Sequence, residues 1–110
     1  MKRAEIWTAA GGGGYAGKPR PVVVIQDDRF DATNSVTVCA FTTDPTEAPL
    51  IRLAVVPDPA NGLRERSSLM VDKITTVRRE TLGEKIGELA HQDVTRLERA
   101  VMIFFGLAGG

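Results

Sequence analysis

The sequence has little of what many catalytic and structural centres are built from: one cysteine, Cys39, one histidine, His91, one tryptophan, one tyrosine, and aromatics at 5%. A lone cysteine excludes a disulfide framework and a cysteine metal site, and makes a reducing cytoplasm the expected location. A lone histidine excludes a two-histidine metal site and a pair of imidazoles sharing acid and base duties. Long apolar runs are missing too: Pro21 to Ile25 and Ala100 to Phe105 fall far short of the roughly 20 residues of a membrane span. Lys2 and Arg3 are followed by Glu5 and Trp7 rather than an apolar stretch, so neither a membrane anchor nor a secretory leader is expected. Net charge is absent as well, with 14 Lys and Arg against 14 Asp and Glu. That balance argues at first against a nucleic-acid partner, whose phosphates are bound through basic side chains.

What is present is enough for one hydrophobic core. The 110 residues are 43% hydrophobic and 25% charged, which predicts one domain over residues 1–110. The charge is segregated rather than missing. Residues 1–20 carry four bases and one acid, residues 21–60 two bases and six acids, and residues 61–110 eight bases and seven acids.

Short strands dominate the pattern. Ala4 to Thr8 alternates as a strand, and Gly11, Gly12, Gly13, Gly14 and Gly17 make Ala9 to Lys18 a loop. Pro21 to Gln26 is a valine-rich run, the signature of a strand buried on both faces. Ser35 to Thr42 is a β-branched strand that alternates through Val36, Val38 and Ala40. Leu50 to Val56 predicts another, Pro57 to Leu63 a turn, Ser68 to Val77 a further strand and Lys85 to Leu89 a short last one. From Gln92 on, Val94, Leu97, Val101 and Phe104 recur at helical spacing opposite Asp93, Arg96, Glu98 and Arg99, predicting one amphipathic helix that stops at Gly106. The pattern is mainly β: a small, partly open barrel packed by a C-terminal helix.

Chemistry concentrates where the glycine loop meets Lys18-Pro19-Arg20-Pro21. The prolines hold Arg20 at a stiff strand mouth, and a guanidinium suits phosphate because its fork of donors meets two oxygens and keeps its charge. The ordinary alternative is a surface arginine opening a strand. Thr42-Thr43 ends a strand at a loop, where hydroxyls donate to an anion or cap a turn. Asp72-Lys73 interrupts an apolar strand and must meet something polar. Arg78-Arg79 reads as a solvated turn, His91 as a weak cap or exposed residue, and Cys39 as a small buried hydrophobe. Trp7 and Tyr15 flank the glycine segment and can stack on bases, though Trp7 also suits a barrel anchor.

In order along nearly the whole chain, these pieces resemble the MazF/PemK toxins of bacterial toxin–antitoxin systems. The resemblance rests on Arg3-Ala4-Glu5-Ile6-Trp7, the glycine loop, Arg20-Pro21-Val22-Val23-Val24-Ile25-Gln26, and Val36 to Thr43. It continues through Ser68-Leu69-Met70-Val71-Asp72-Lys73-Ile74-Thr75-Thr76, Lys85-Ile86-Gly87 and the closing helix. It implies an SH3-like barrel of the plasmid-maintenance toxin type, a homodimer, and a sequence-selective endoribonuclease that needs no metal or other cofactor. Single-stranded RNA is the implied substrate, messenger RNA foremost, cut by transesterification through the 2′-hydroxyl. A cognate antitoxin is the implied protein partner, with operator DNA met only through that antitoxin. Position by position, the resemblance makes Arg20 and Thr42 catalytic and places Asp72 against substrate, with the loop from Gly11 to Lys18 closing over the RNA. Tyr15, Lys18 and Lys73 join Asp72 as candidate substrate contacts. Four consecutive glycines depart from the family pattern in that loop.

Two rivals share the barrel. A CcdB-type gyrase inhibitor would act through its helix end, which here trails off in Leu107-Ala108-Gly109-Gly110, and a catalytically silent barrel would only bind antitoxin as a DNA corepressor. With Lys18, Arg20 and Lys73 gathered at one site, a neutral protein still offers a cationic groove. The expected result is modest RNA affinity and shallow salt dependence.

Overall fold

The computed structural model describes residues 1–10 and 18–107. Seven strands form an antiparallel sheet: β1 (Glu5–Ala9), β2 (Arg20–Val24), β3 (Ser35–Thr42), β4 (Arg52–Val55), β5 (Ser67–Met70), β6 (Thr75–Arg78) and β7 (Leu82–Glu88). One helix, α1 (His91–Phe104), follows. The hydrogen-bonded order is β4-β5-β3-β2-β1-β7, with β6 also paired to β3. One edge of β3 thus serves two strands, β6 along Ser35 to Val38 and β5 at Phe41 and Thr42. This split bends the sheet into a partly open, SH3-like barrel. Its outer strands β4 and β7 do not pair with each other among the described residues. The turn at 57–63 bridges the gap, and its Ala60 carbonyl accepts the Glu88 amide at 2.9 Å. Gly62, at φ +70°, and Gly87 allow that approach: a Cβ on Gly87 would lie 2.4 Å from the Ala60 oxygen.

Alternation divides the apolar residues between two clusters. Ile6, Val23, Cys39, Phe41, Leu53, Val55, Leu69 and Val71 face inward with Leu89, Leu97 and Ala100. Val22, Val24, Val36, Val38 and Leu82 form the other cluster, against which Trp7, Ala9 and Ala40 pack. The valine run of β2 is therefore buried on both faces, as its composition predicts.

Four expectations need correction. Ser68 to Val77 is two strands, because Val71–Lys73 forms a 3-10 turn that buries Val71 and swings Asp72 toward β4. The last strand begins at Leu82, earlier than Lys85, and its start escapes periodicity because Gly83, Glu84 and Lys85 are all exposed. Arg79 is more than a solvated turn residue: its guanidinium donates to the Phe30 carbonyl at 3.3 Å and to that of Thr33, tying the segment after β2 to the end of β6. On α1, Leu97 and Ala100 are buried, but Phe104 is 46% exposed instead of continuing the inward face. His91 is the first helical residue and is exposed.

Candidate active site

The register of β2 and β3 decides where Arg20 stands. Val22 pairs with Ala40, Val23 with Cys39 and Val24 with Val38, so continuing the same register sets Pro21 opposite Phe41 and Arg20 opposite Thr42. The ladder stops at Val22 for a chemical reason. The Ile25 amide donates to the Thr37 carbonyl at 3.1 Å, so by the two-residue alternation Pro21 also turns its backbone toward β3, and it has no N–H to give. Arg20 and Thr42 thus face each other just past the last bonded pair, where the strands are released from their ladder. On its other side Arg20 pairs with Ala9 of β1.

Thr42 in turn pairs with Ser68 of β5, and Ser68 with Ala54 of β4. One row across the sheet therefore reads Ala9, Arg20, Thr42, Ser68, Ala54. The Thr42 Oγ1 accepts the Asp44 amide at 3.1 Å, which leaves its own proton to donate. Beyond Thr42 opens a cleft of about 550 Å³, lined by Thr42, Thr43, Ser68 and the arginines 52, 66 and 96, with Asp44 and Glu47 among the other lining residues.

Arg52 lines this cleft and is ion-paired to Asp72, both side chains being largely buried, while its Nη1 also donates to the Ile51 carbonyl at 2.9 Å. The hydrogen bond from Arg52 holds the Asp72 carboxyl below the usual range. Lys73, beside it, is exposed, as is Lys18. Tyr15 and the loop expected to close over RNA lie outside the described residues, apart from Lys18 at its end. Continuing the β2–β3 register puts Arg20 opposite Thr42, and an ion pair couples Asp72 to Arg52. Of the predicted site residues described, only Thr42 lines the cleft; Arg20, Lys18, Asp72 and Lys73 lie outside its lining. Sequence reasoning missed Arg52, Arg66, Arg96 and Ser68. Arg52 left a signal as the only charge in the strand run Leu50 to Val56; the others become neighbours only through folding.

Cys39 is fully buried, its Sγ donates to the Met70 carbonyl at 3.4 Å, and burial pushes its pKa up to about 12, so no thiolate nucleophile is available near neutrality.

Over residues 2–105 the chain matches the family described as PemK-like, MazF-like toxin of type II toxin-antitoxin system. The chain belongs to that family. The probable endoribonuclease MazF of Mycolicibacterium smegmatis is 57% identical over 109 residues, covering 99% of this chain and 100% of that protein. The solved Mycobacterium tuberculosis toxin MazF-mt6 has a TM-score of 0.79 at 27% identity, covering 94% of this chain and 98% of that one. A mycobacterial endoribonuclease solved with its cognate antitoxin has a TM-score of 0.79 at 21% identity, covering 100% of this chain and 99% of that one, a likeness of fold. This MazF-like toxin is an RNA-cleaving enzyme, an endoribonuclease. No helix of the described residues is long and apolar enough to cross a membrane.

Proposed function

We propose that this toxin cuts single-stranded RNA, messenger RNA foremost, at selected sequences and without a metal ion, and that Arg20 and Thr42 carry the reaction. The 2′-oxygen attacks the adjacent phosphorus and the 5′-oxygen leaves, giving a 2′,3′-cyclic phosphate and a 5′-hydroxyl. Such a cleavage needs alignment of the attack, stabilisation of the charge on the phosphorane, and two proton transfers. An arginine with a pKa above about 12 is a poor base, so Arg20 acts as the electrostatic clamp on the phosphorane. The Thr42 hydroxyl donates to a phosphate oxygen.

The observation that carries this reading is the register that sets Arg20 opposite Thr42 at the open end of the β2–β3 ladder. Lys18, Lys73, Tyr15 and the Asp72–Arg52 pair complete the substrate contacts. Stopping translation arrests growth, and a cognate antitoxin relieves the arrest, in keeping with the antitoxin complex of the mycobacterial fold relative. Operator DNA is reached only through that antitoxin. The working unit is a homodimer, supported by the apolar side chains exposed at the end of α1: Met102, Ile103, Phe104 and Phe105.

The test is Arg20→Ala. Cleavage of defined single-stranded RNA, mapped by primer extension, should fall at least about a hundredfold, the usual cost of one transition-state donor, while dimer and antitoxin binding persist. Wild-type rates in that variant would sink the assignment. Chelator should leave cleavage unchanged, and loss of activity in EDTA would point to a metal.

A further inference from the structure

The cleft beyond Thr42 holds more anion-binding groups than the reaction at Arg20 and Thr42 uses. Ser68 stands directly beside Thr42, lines the same cleft, and has no hydrogen bond from its hydroxyl among the described residues. Ser67 is different: it is buried and turns its hydroxyl back to the Glu65 carbonyl at 3.0 Å. Arg66, two residues from Ser68, is exposed and also lines the cleft.

The three arginines of the cleft are not equivalent. Arg52 is committed to Asp72. Arg96 donates to Asp93 at 2.7 Å and to the Ala54 carbonyl at 3.1 Å. Arg66 has neither a carboxylate nor a carbonyl partner among the described residues. With strands about 4.8 Å apart and a rise of about 3.3 Å per residue, the Arg66 backbone lies about 8 Å from that of Thr42, within an arginine's reach of a nucleotide seated there.

We propose that Arg66 and Ser68 form a subsite for the phosphate next to the scissile one in the bound RNA strand. The proposal rests on the reading of Arg20 and Thr42 as the reacting pair. The Arg66 guanidinium offers a two-donor fork to the phosphate oxygens and Ser68 adds a third donor. Asp44 and Glu47 in the same cleft cancel much of its positive charge, so the subsite selects through contact at close range. By holding the neighbouring phosphate it fixes the register of the strand and presents one internucleotide bond to Arg20.

A methylphosphonate scan tests this. Oligoribonucleotides carrying the mapped cleavage sequence receive one neutral methylphosphonate at each non-scissile phosphate in turn. Wild-type enzyme should lose about tenfold in kcat/KM at one position adjoining the cut, through KM with kcat nearly unchanged, as expected for one charge-assisted contact. Arg66→Ala should suffer the same loss on unmodified RNA and no further loss at that position, and Arg66→Lys should recover part of it. The salt dependence of binding should flatten by about 0.7 in log–log slope. Because Arg66 is exposed, its alanine variant should unfold within about 2 °C of the wild type. No loss in Arg66→Ala, or losses from the variant and the methylphosphonate that simply multiply, would overturn the subsite. Full activity in Arg20→Ala would instead overturn the reacting pair, so the two failures are distinguishable.

Discussion

Asn61 offers a quantitative test of how the barrel is held shut. It is 3% exposed, in the turn that bridges β4 and β7. Its Oδ1 accepts the amides of Asp58 at 3.1 Å and Leu63 at 3.0 Å, and its Nδ2 donates to the Val56 carbonyl at 3.0 Å. Asn61→Ala removes all three bonds. At about 1 kcal/mol each, with more for the buried Leu63 amide left without an acceptor, the loss comes to about 3–4 kcal/mol. An entropy of unfolding near 2.1 cal/mol/K per residue gives a chain of this length about 0.23 kcal/mol/K, so the melting temperature should fall by about 13–17 °C. Asn61→Asp keeps the acceptor for both amides but sets an anion against the Val56 carbonyl, and should fall between alanine and wild type. Urea unfolding followed by circular dichroism measures the loss directly. Cleavage at 25 °C should be nearly unchanged while the variant stays folded, since Asn61 is not among the residues of the Thr42 cleft. A loss below about 1 kcal/mol, or a large fall in kcat in a variant of native stability, would refute this account of the turn.

Two further outcomes follow from the geometry. Thr42→Val should cut cleavage about a hundredfold in an RNA assay, whereas Thr42→Ser, which keeps the hydroxyl, should retain most of it; equal rates in Thr42→Val and wild type would remove the hydroxyl from the mechanism. Glu5 governs part of the acid stability: burial pushes its pKa up, but bonds from the Lys2 amide, the Trp7 indole and Lys85 outweigh this and bring it down to about 2 from 4.5. Its stabilisation is therefore present above about pH 4.5 and is lost as pH falls toward 2, because the unfolded chain takes up the proton first. After solvent screening it amounts to about 1–2 kcal/mol, and Glu5→Gln should flatten the stability profile in that window; an unchanged profile would contradict the shift.

The sequence announces the barrel best where a strand is buried. β3 runs from Ser35 to Thr42, the span its β-branched alternation predicts, and Val22 to Val24 lie between two apolar clusters as their composition requires. The pattern fails at the surface. The start of β7 carries no hydrophobic period because its first residues after Leu82 are exposed, and the turn at Val71–Lys73 is marked by Asp72-Lys73 but not recognisable as a strand break, because Val71 before them and Ile74 after them keep the apolar pattern going. The helix starts at His91, one residue before Gln92, and its start carries no sequence signal because its N-cap, Ala90, has no capping side chain. For the candidate site, Arg20 and Thr42 are legible as residues suited to phosphate, and the family resemblance suggests the roles proposed for them. Their apposition is a property of strand register. Arg66 and Ser68 look like ordinary turn and strand residues until β5 is laid beside β3.

The missing amide at Pro21 has a consequence for how this toxin can be disarmed. The backbone ladder has already ended where Arg20 and Thr42 come opposite each other, so neither residue is a bonded rung between those two strands, and both are half-buried rather than part of the core. On the roles proposed for Arg20 and Thr42, chemistry at such a seam is separable from folding. Activity can be lost one side chain at a time while the shape persists, and a melting curve taken on an inactivated variant will say nothing about whether it still cuts.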